Sequence, residues 1–331
     1  MANDLDSYNL WLARGKEFLK DVSKYDETLD AFNKAIEINP ESATAWAYKT
    51  YVLYCRGDRE EAIKAFQVAS TIDPENPAVL LFMATRLFNE EDKLVEALDL
   101  SDRSLQSDPD SPSAWLLKGY IFDRMNWLEE AVAAFDKAVE LGYKNSYPCG
   151  QKGKLLIDLN RYQEAIEALD LAIGKNPKHS DWWESKGIAL ANLGRFEEAV
   201  AMYDRALERC SIDELIYYNK GISLMRLGRY EEALQLFDKT IEMNPNYAPA
   251  WNNKSWVFRR LGRLEDAKRA SARAIEIDPD MVNPDYCNAK AAVRGGNRTK
   301  ALEYLRKAMK RNPETIDKFN KDPVFKDFWE H

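Results

Sequence analysis

The sequence predicts an all-α solenoid of stacked helical hairpins, and three observations predict it. Ala97, Ala131, Ala165, Ala199, Ala233, Ala267 and Ala301 recur every 34 residues. Gly119, Gly153, Gly187 and Gly221 keep the same interval and continue as Ser255 and Ala289. Within each interval the apolar residues fall at spacings of three and four, break at a turn and resume, which is the signature of two helical faces. A fixed period in this range describes an array in which each unit packs on its neighbours and the core grows lengthwise.

The units follow in order. The first (8–42) carries an extra turn residue around Lys20 to Lys24, holds Phe32 on its second helix and closes at Pro40. The second (43–76) places Trp46 on its first helix and Phe66 on its second, and closes at Pro74. In the third (77–111), Ser101 and Ser104 stand where Phe and Ala are expected, and the turn Asn89 to Lys93 is lengthened, which accounts for a one-residue phase slip. Weak packing there predicts fraying near 85–105. The fourth (112–145) reads Trp115-x-x-Lys118-Gly119-x-x-Phe122, then Leu128, Ala131, Phe135 and Ala138, with Tyr143 in place of the closing proline.

In the fifth (146–179), Cys149 takes the leading aromatic slot and Pro177 closes the unit. The sixth (180–213) repeats Trp183, Gly187 and Leu190, then Phe196, Ala199, Tyr203 and Ala206, with Ser211 at the closing position. The seventh (214–247) turns at Leu227-Gly228-Arg229, holds Phe237 and closes at Pro245. The eighth (248–281) has Trp251, Ser271 in the aromatic column and Pro279; the ninth (282–315) has Ala289, Ala301 and Pro313. The array thus occupies 1–313, and 314–331 read as capping helices, in which Ile316, Phe319, Val324, Phe325, Phe328 and Trp329 hide the apolar flank of the last unit.

Each recurrent position has a physical reason. Glycine in turns such as Leu193-Gly194-Arg195 takes the positive φ that ends a helix, and proline cannot continue the preceding helix but pre-sets entry into the next. The glycine and alanine columns are expected to face each other so that two backbones approach closely. Aromatics then fill the spaces on either side, each worth about 2–3 kcal/mol when buried.

These residues resemble the tetratricopeptide (TPR) family, whose pattern runs Trp, Leu-Gly, aromatic, Ala, Phe, Ala and Pro across 34 residues. The resemblance covers nearly the whole chain as about nine repeats. It implies a right-handed superhelix with first helices lining a concave groove, and binding of protein segments in that groove.

Composition narrows the partners. The chain has 331 residues and a net charge of −8, which opposes binding to a phosphate backbone. No window approaches the ~18 apolar residues of a membrane span, and the acidic start Asp4 to Asp6 does not look like a secretory signal. A cytoplasmic location is the expectation. Cys55, Cys149, Cys210 and Cys287 are dispersed without a C-x-x-C pair, so neither a disulfide framework nor a metal site is indicated and the thiols read as buried or half-buried. His179 and His331 are the only histidines and read as solvated side chains. No nucleotide-binding, nucleophile or metalloprotease motif occurs. Acid pairs at Glu60-Glu61, Glu129-Glu130, Glu197-Glu198 and Glu231-Glu232 recur at the start of second helices, where they complement the helix dipole. No cofactor and no enzymatic activity are expected.

Partner-binding residues are expected one step round each first helix. In the C-terminal units these are Tyr218, Asn219 and Arg226, then Asn252, Asn253, Trp256, Arg259 and Arg260, then Lys290 and Arg294: a basic stretch interleaved with amides and aromatics. Asn219 and Asn253 share one slot, similar to the asparagine ladder of O-linked N-acetylglucosamine transferases, where amides hold a peptide backbone; a solvated polar face is the other reading. The carboxylate clamp of heat-shock co-chaperones is not present intact, since its Lys154-like and Asn219-like slots fall in non-adjacent units. Toward the N-terminus, Tyr48, Tyr51, Phe82 and Tyr120 read either as contact sites or as packing between units. The expected function is a scaffold, monomeric or weakly self-associating, that holds an acidic protein or peptide. The alternatives are a self-associating assembly platform, through Leu5, Tyr8, Leu10 and Trp11, or a regulatory subunit of a separate enzyme such as a glycosyltransferase.

Overall fold

The structure, a computed structural model, describes residues 2–19, 24–91, 93–210, 212–278, 289, 292–293, 298–311 and 323–325. Among them run seventeen α-helices and no strand. They are α1 (Ala2–Phe18), α2 (Tyr25–Ile38), α3 (Ala43–Arg56), α4 (Arg59–Ile72), α5 (Pro77–Arg86), α6 (Leu94–Ser107), α7 (Pro112–Arg124), α8 (Leu128–Glu140), α9 (Tyr147–Asp158), α10 (Tyr162–Lys175), α11 (Ser180–Asn192), α12 (Phe196–Leu207), α13 (Glu214–Arg226), α14 (Tyr230–Met243), α15 (Ala248–Arg260), α16 (Leu264–Ile277) and α17 (Arg298–Arg311). The chain divides into two compact bodies, residues 1–189 and 190–331. In the first, α1/α2, α3/α4, α5/α6, α7/α8 and α9/α10 form hairpins; in the second, α13/α14 and α15/α16 do the same. This is the TPR helical-hairpin architecture.

Local signals explain where helices start and stop. Pro77, Pro112, Pro148 and Pro249 open α5, α7, α9 and α15 in the first turn, where a missing N–H is harmless. Ser42 and Asp213 cap α3 and α13 by accepting from Ala45 N and Leu215 N. The expected acid pairs stand in the first turns of α4, α8, α12 and α14. Arg161, Arg195 and Arg229, just before α10, α12 and α14, pair with Glu164, Glu198 and Glu232. Gly194, Gly228 and Gly262 end first helices at φ of 78°, 77° and 73°, and Asn126 and Asn160 take the same turn at 59°.

The small column makes room for large side chains of the second helix. A Cβ added to Gly119 would lie 2.6 Å from the Phe135 ring, one on Gly153 2.5 Å from Leu169, and one on Gly15 2.5 Å from Phe32. The glycines therefore accommodate the large side chain of the second helix. Ala131, Ala165, Ala199, Ala233 and Ala267 are themselves buried. Where serine replaces glycine, Ser255 donates to the Ala267 carbonyl at 2.8 Å, so the extra atom is used as a hydrogen bond.

Two further periodic contacts hold the repeats. Trp46, Trp115, Trp183 and Trp251 donate Nε1–H to the carbonyls of Pro40, Pro109, Pro177 and Pro245 at 2.9–3.0 Å, tying each first helix to the turn before it. Lysines one residue before the small column form ion pairs with aspartates 16 residues earlier, on the preceding second helix: Lys118–Asp102, Lys152–Asp136, Lys186–Asp170, Lys220–Asp204 and Lys254–Asp238. Lys118 and Lys254 also lie over Trp115 and Trp251, each at 5.3 Å.

Several expectations change. The lengthened turn of the third repeat is a π-helix, Leu87–Glu91, and the two serines after it are buried and bonded. Ser104 donates to the Pro77 carbonyl at 2.8 Å and Ser101 to Ala114 at 3.4 Å, so hydroxyls bridge where Phe and Ala would have packed. His179 is no solvated side chain: its ring stacks on Trp182 at 4.2 Å and meets Tyr147 edge-on at 5.5 Å. Gly150 makes room for this, since a Cβ there would lie 2.5 Å from the Trp182 ring. Cys149 is buried as expected, but Cys55 is exposed. At the C-terminal end, Phe325 is fully buried against Ala289, Ala301, Leu305 and Ala308. The Lys20 turn, Ser211, Pro279, Cys287, Pro313, His331 and the other capping residues except Val324 lie outside the described residues.

Candidate functional site

In the second body, α13 and α15 are neighbouring first helices whose side chains meet directly. Tyr218, on α13, stands edge-on to Tyr247 at 5.0 Å and packs on Phe237 at 6.1 Å. Burial pushes its hydroxyl pKa up to about 12. That hydroxyl accepts Asn253 Nδ2–H from α15 at 3.1 Å. Asn253 is thereby oriented across the two helices, with one N–H committed to Tyr218. Asn219 and Asn252 are half-buried on the same two helices.

One turn beyond, Trp256 keeps 38% of its surface exposed. The Arg260 guanidinium lies 4.7 Å above its ring and Tyr230 meets it edge-on at 6.0 Å. Cation–π stacking at an exposed site contributes roughly 0.5–1 kcal/mol and, more usefully, holds a flexible cation in place. Arg226 and Arg259 are exposed in the last turns of α13 and α15. Trp256 with Arg260 stacked on it thus presents a partly exposed ring, able to take an apolar or planar group, and a guanidinium able to take a carboxylate. Lys290 and Arg294 lie outside the described residues.

The N-terminal candidates separate by burial. Phe82 is buried, tilted on Phe66 at 5.4 Å and edge-on to Tyr54 at 5.8 Å; its place is the core and it offers a partner no surface. Tyr48 stacks on Phe32 at 5.4 Å beneath Lys16 at 4.9 Å. Tyr120 is half-buried between Phe135 and Phe88, and burial pushes its pKa up to about 12. Tyr51 is exposed on α3, yet its ionisation is strongly opposed by desolvation and then by the nearby Cys55, Tyr143 and Tyr25. Burial and the Asp158 charge raise the Asp123 carboxyl above its usual range. Asp123 and Lys144 are not marked by the repeat pattern. Lys144, in the α8–α9 loop, pairs with Glu17 of α1 at 3.2 Å, a contact across 127 residues that no local pattern signals.

The family described as Tetratricopeptide repeat matches residues 112–142, 151–213 and 218–282, and the protein prenyltransferase alpha subunit repeat matches 25–56. Among curated proteins, the chain is 31% identical over 147 residues to the protein CTR9 homolog of Arabidopsis thaliana, covering 43% of this chain and 13% of that one. It is 27% identical over 143 residues to the putative cargo-transport protein ypp1 of Schizosaccharomyces pombe, covering 41% and 16%. The chain thus matches under a fifth of the length of these relatives. Among solved structures, YrrB, described as a TPR protein with an unusual peptide-binding site, aligns with TM-score 0.53 and 25% identity over 57% of this chain and 97% of that one. The Cut9–Hcn1 hetero-tetramer of the APC/C aligns with TM-score 0.54 and 17% identity over 90% and 55%. No helix among the described residues is long and apolar enough to cross a membrane.

Proposed function

The chain belongs to the tetratricopeptide repeat family, and on that footing we propose that it is a non-catalytic scaffold that holds an acidic segment of a partner protein on the face built by α13 and α15. The observation that carries this reading is the exposed Trp256 with Arg260 stacked on it, beside the amide that Tyr218 orients. Rigid aromatics and arginines are the residues that dominate protein interfaces. The amides of Asn219, Asn252 and Asn253 can satisfy a backbone whatever its side chains, while Arg226, Arg259 and Arg260 select for carboxylates. The peptide-binding site attributed to YrrB and the hetero-tetramer of Cut9 are in keeping with a binding role. Any chemistry then resides in the protein that is held.

The test is affinity purification from native lysate with the wild-type chain and with Arg226→Glu combined with Arg260→Glu, each at two salt concentrations. Loss of the retained partners in the double variant, together with a salt-dependent decline for the wild type, is the expected result. Partners retained equally by both proteins would reject the basic face.

A second reading, self-association, is favoured by Leu5 and Leu10, which are 60% and 63% exposed on α1. Tyr8 does not contribute to that patch in the same way, because its hydroxyl bonds to Ser42 at 2.6 Å. Light scattering over a concentration series, with Leu5→Ser and Leu10→Ser as controls, separates the two readings.

A further inference from the structure

The five Lys–Asp ion pairs define a slot that the chain fills with its own carboxylate in repeat after repeat, and in one place it leaves that slot without one. Lys49 is the lysine of the second repeat, and the position 16 residues earlier is Asn33. An amide thus stands where Asp102, Asp136, Asp170, Asp204 and Asp238 stand elsewhere. Lys49 is half-buried, with its ammonium 5.0 Å over the Trp46 ring. Burial lowers its pKa, with no carboxylate to offset the effect. Its counterpart Lys254 occupies a matching cavity of about 680 Å³ between α14, α15 and α16, but there Asp238 is in the wall and bonded to it.

The cavity at Lys49 has a volume of about 420 Å³ and lies between α2, α3 and α4. Leu29, Trp46, Leu53 and Val68 give it an apolar lining, and Val68 is 38% exposed. Its charged groups are Lys49, Lys64, Arg56 and Glu61. Arg56 is already engaged by Asp26 and Asp58. The cavity therefore carries a net positive charge beside an apolar floor, and it lies in the first body, remote in sequence from the Trp256 face. A half-buried ammonium with no carboxylate bonded to it is less favourable than a paired one, and supplying a carboxylate from outside completes the pair in the way the chain completes it five times for itself.

We infer that this cavity is a second docking site, which takes a partner-protein segment presenting one Asp or Glu carboxylate to Lys49 and an adjacent aliphatic side chain to Leu29, Leu53 and Val68. The carboxylate occupies the place of the missing aspartate. Discrimination rests on charge and on one ion pair, so the corresponding amide is a poor substitute.

The experiment uses the full chain with reductively ¹³C-methylated lysines and two blocked peptides, acetyl-Leu-Glu-Ala-Leu-amide and the same peptide with Gln for Glu. Titration followed at the Lys49 resonance is expected to show about tenfold tighter binding of the Glu peptide, the size of one charge-assisted contact. Asn33→Asp closes the slot from within, so it is expected to raise the Lys49 pKa and abolish the preference. Lys49→Gln, read through the Trp46 environment by fluorescence, removes the preference from the other side. Both variants keep their helical circular-dichroism signal, because neither alters an apolar core position. Equal binding of the two peptides to the wild-type chain, or a tenfold preference that survives in Asn33→Asp, overturns the assignment.

Discussion

Gly221 lies under the ring of Phe237: a Cβ placed on it would stand 2.8 Å from Phe237 Cε1, well inside ordinary carbon contact. The hairpin α13/α14 closes to this distance because one helix presents no side chain where the other presents a ring. Gly221→Leu is expected to lower stability by about 1–3 kcal/mol through overpacking. Gly174→Ala supplies the contrast. It sits in the last turn of α10 with nothing within 4 Å of the added carbon, so stability is expected to rise by about 0.4–1 kcal/mol. Chemical denaturation of the two variants checks the pair, and similar effects would show that the ring contact is irrelevant.

Asn160 takes the turn between α9 and α10 at φ 59°. Its short amide tolerates that region, and a β-branched side chain does not. Asn160→Gly is expected to be neutral or slightly stabilising, and Asn160→Val to lower stability by about 1–2 kcal/mol. Melting temperatures of both variants decide the matter.

Phe325 is fully buried against Ala301, Leu305 and Ala308 of α17. Phe325→Ala is expected to destabilise this end by about 3–5 kcal/mol, and removal of 314–331 to cause aggregation or fraying. Hydrogen exchange across α17 and sizing of the truncated chain are the measurements; unchanged protection and a monomeric profile would contradict a capping role.

Tyr218 binds its proton more tightly when folded, with a pKa near 12 against 10.0 for an ordinary tyrosine. The unfolded chain holds fewer protons than the folded one between those values, so stability falls as pH rises through this window. The contribution is fully present below pH ~10. Tyr218→Phe is expected to flatten the decline seen from pH ~10 upward in urea midpoints, and an unchanged slope would assign the decline to other groups.

Much of this was legible in the sequence because a repeat states its packing many times over. The alanine column, the turn glycines and the first-turn acids reappear in the structure as the periodicity requires. What the spacing does not carry is how close the contact is: a Cβ on Gly119, Gly153 or Gly221 would run into Phe135, Leu169 or Phe237, a fact of interhelical geometry outside a one-dimensional pattern. The Lys–Asp pairs were equally visible as two columns 16 residues apart, but neither column is apolar, so a search for hydrophobic period passes over them. On α15, Arg260 lies over Trp256 as their four-residue helical spacing implies. Phe82 does not join a surface, since its own position in the helix turns it toward Phe66. A lone histidine in a turn shows nothing of the Trp182 ring that stacks on it, so from the sequence His179 looks solvated.

The π-helical turn Leu87–Glu91 absorbs a surplus residue inside one hairpin bend, and the Lys118–Asp102 bridge directly after it keeps the same interval as all later ones. An indel at such a bend is thus quarantined: it lengthens a corner and leaves the downstream phase untouched. Hairpin corners of this chain are accordingly where graft or splice engineering can add sequence, whereas a single residue inserted within a helix would rotate every contact that follows in that helix.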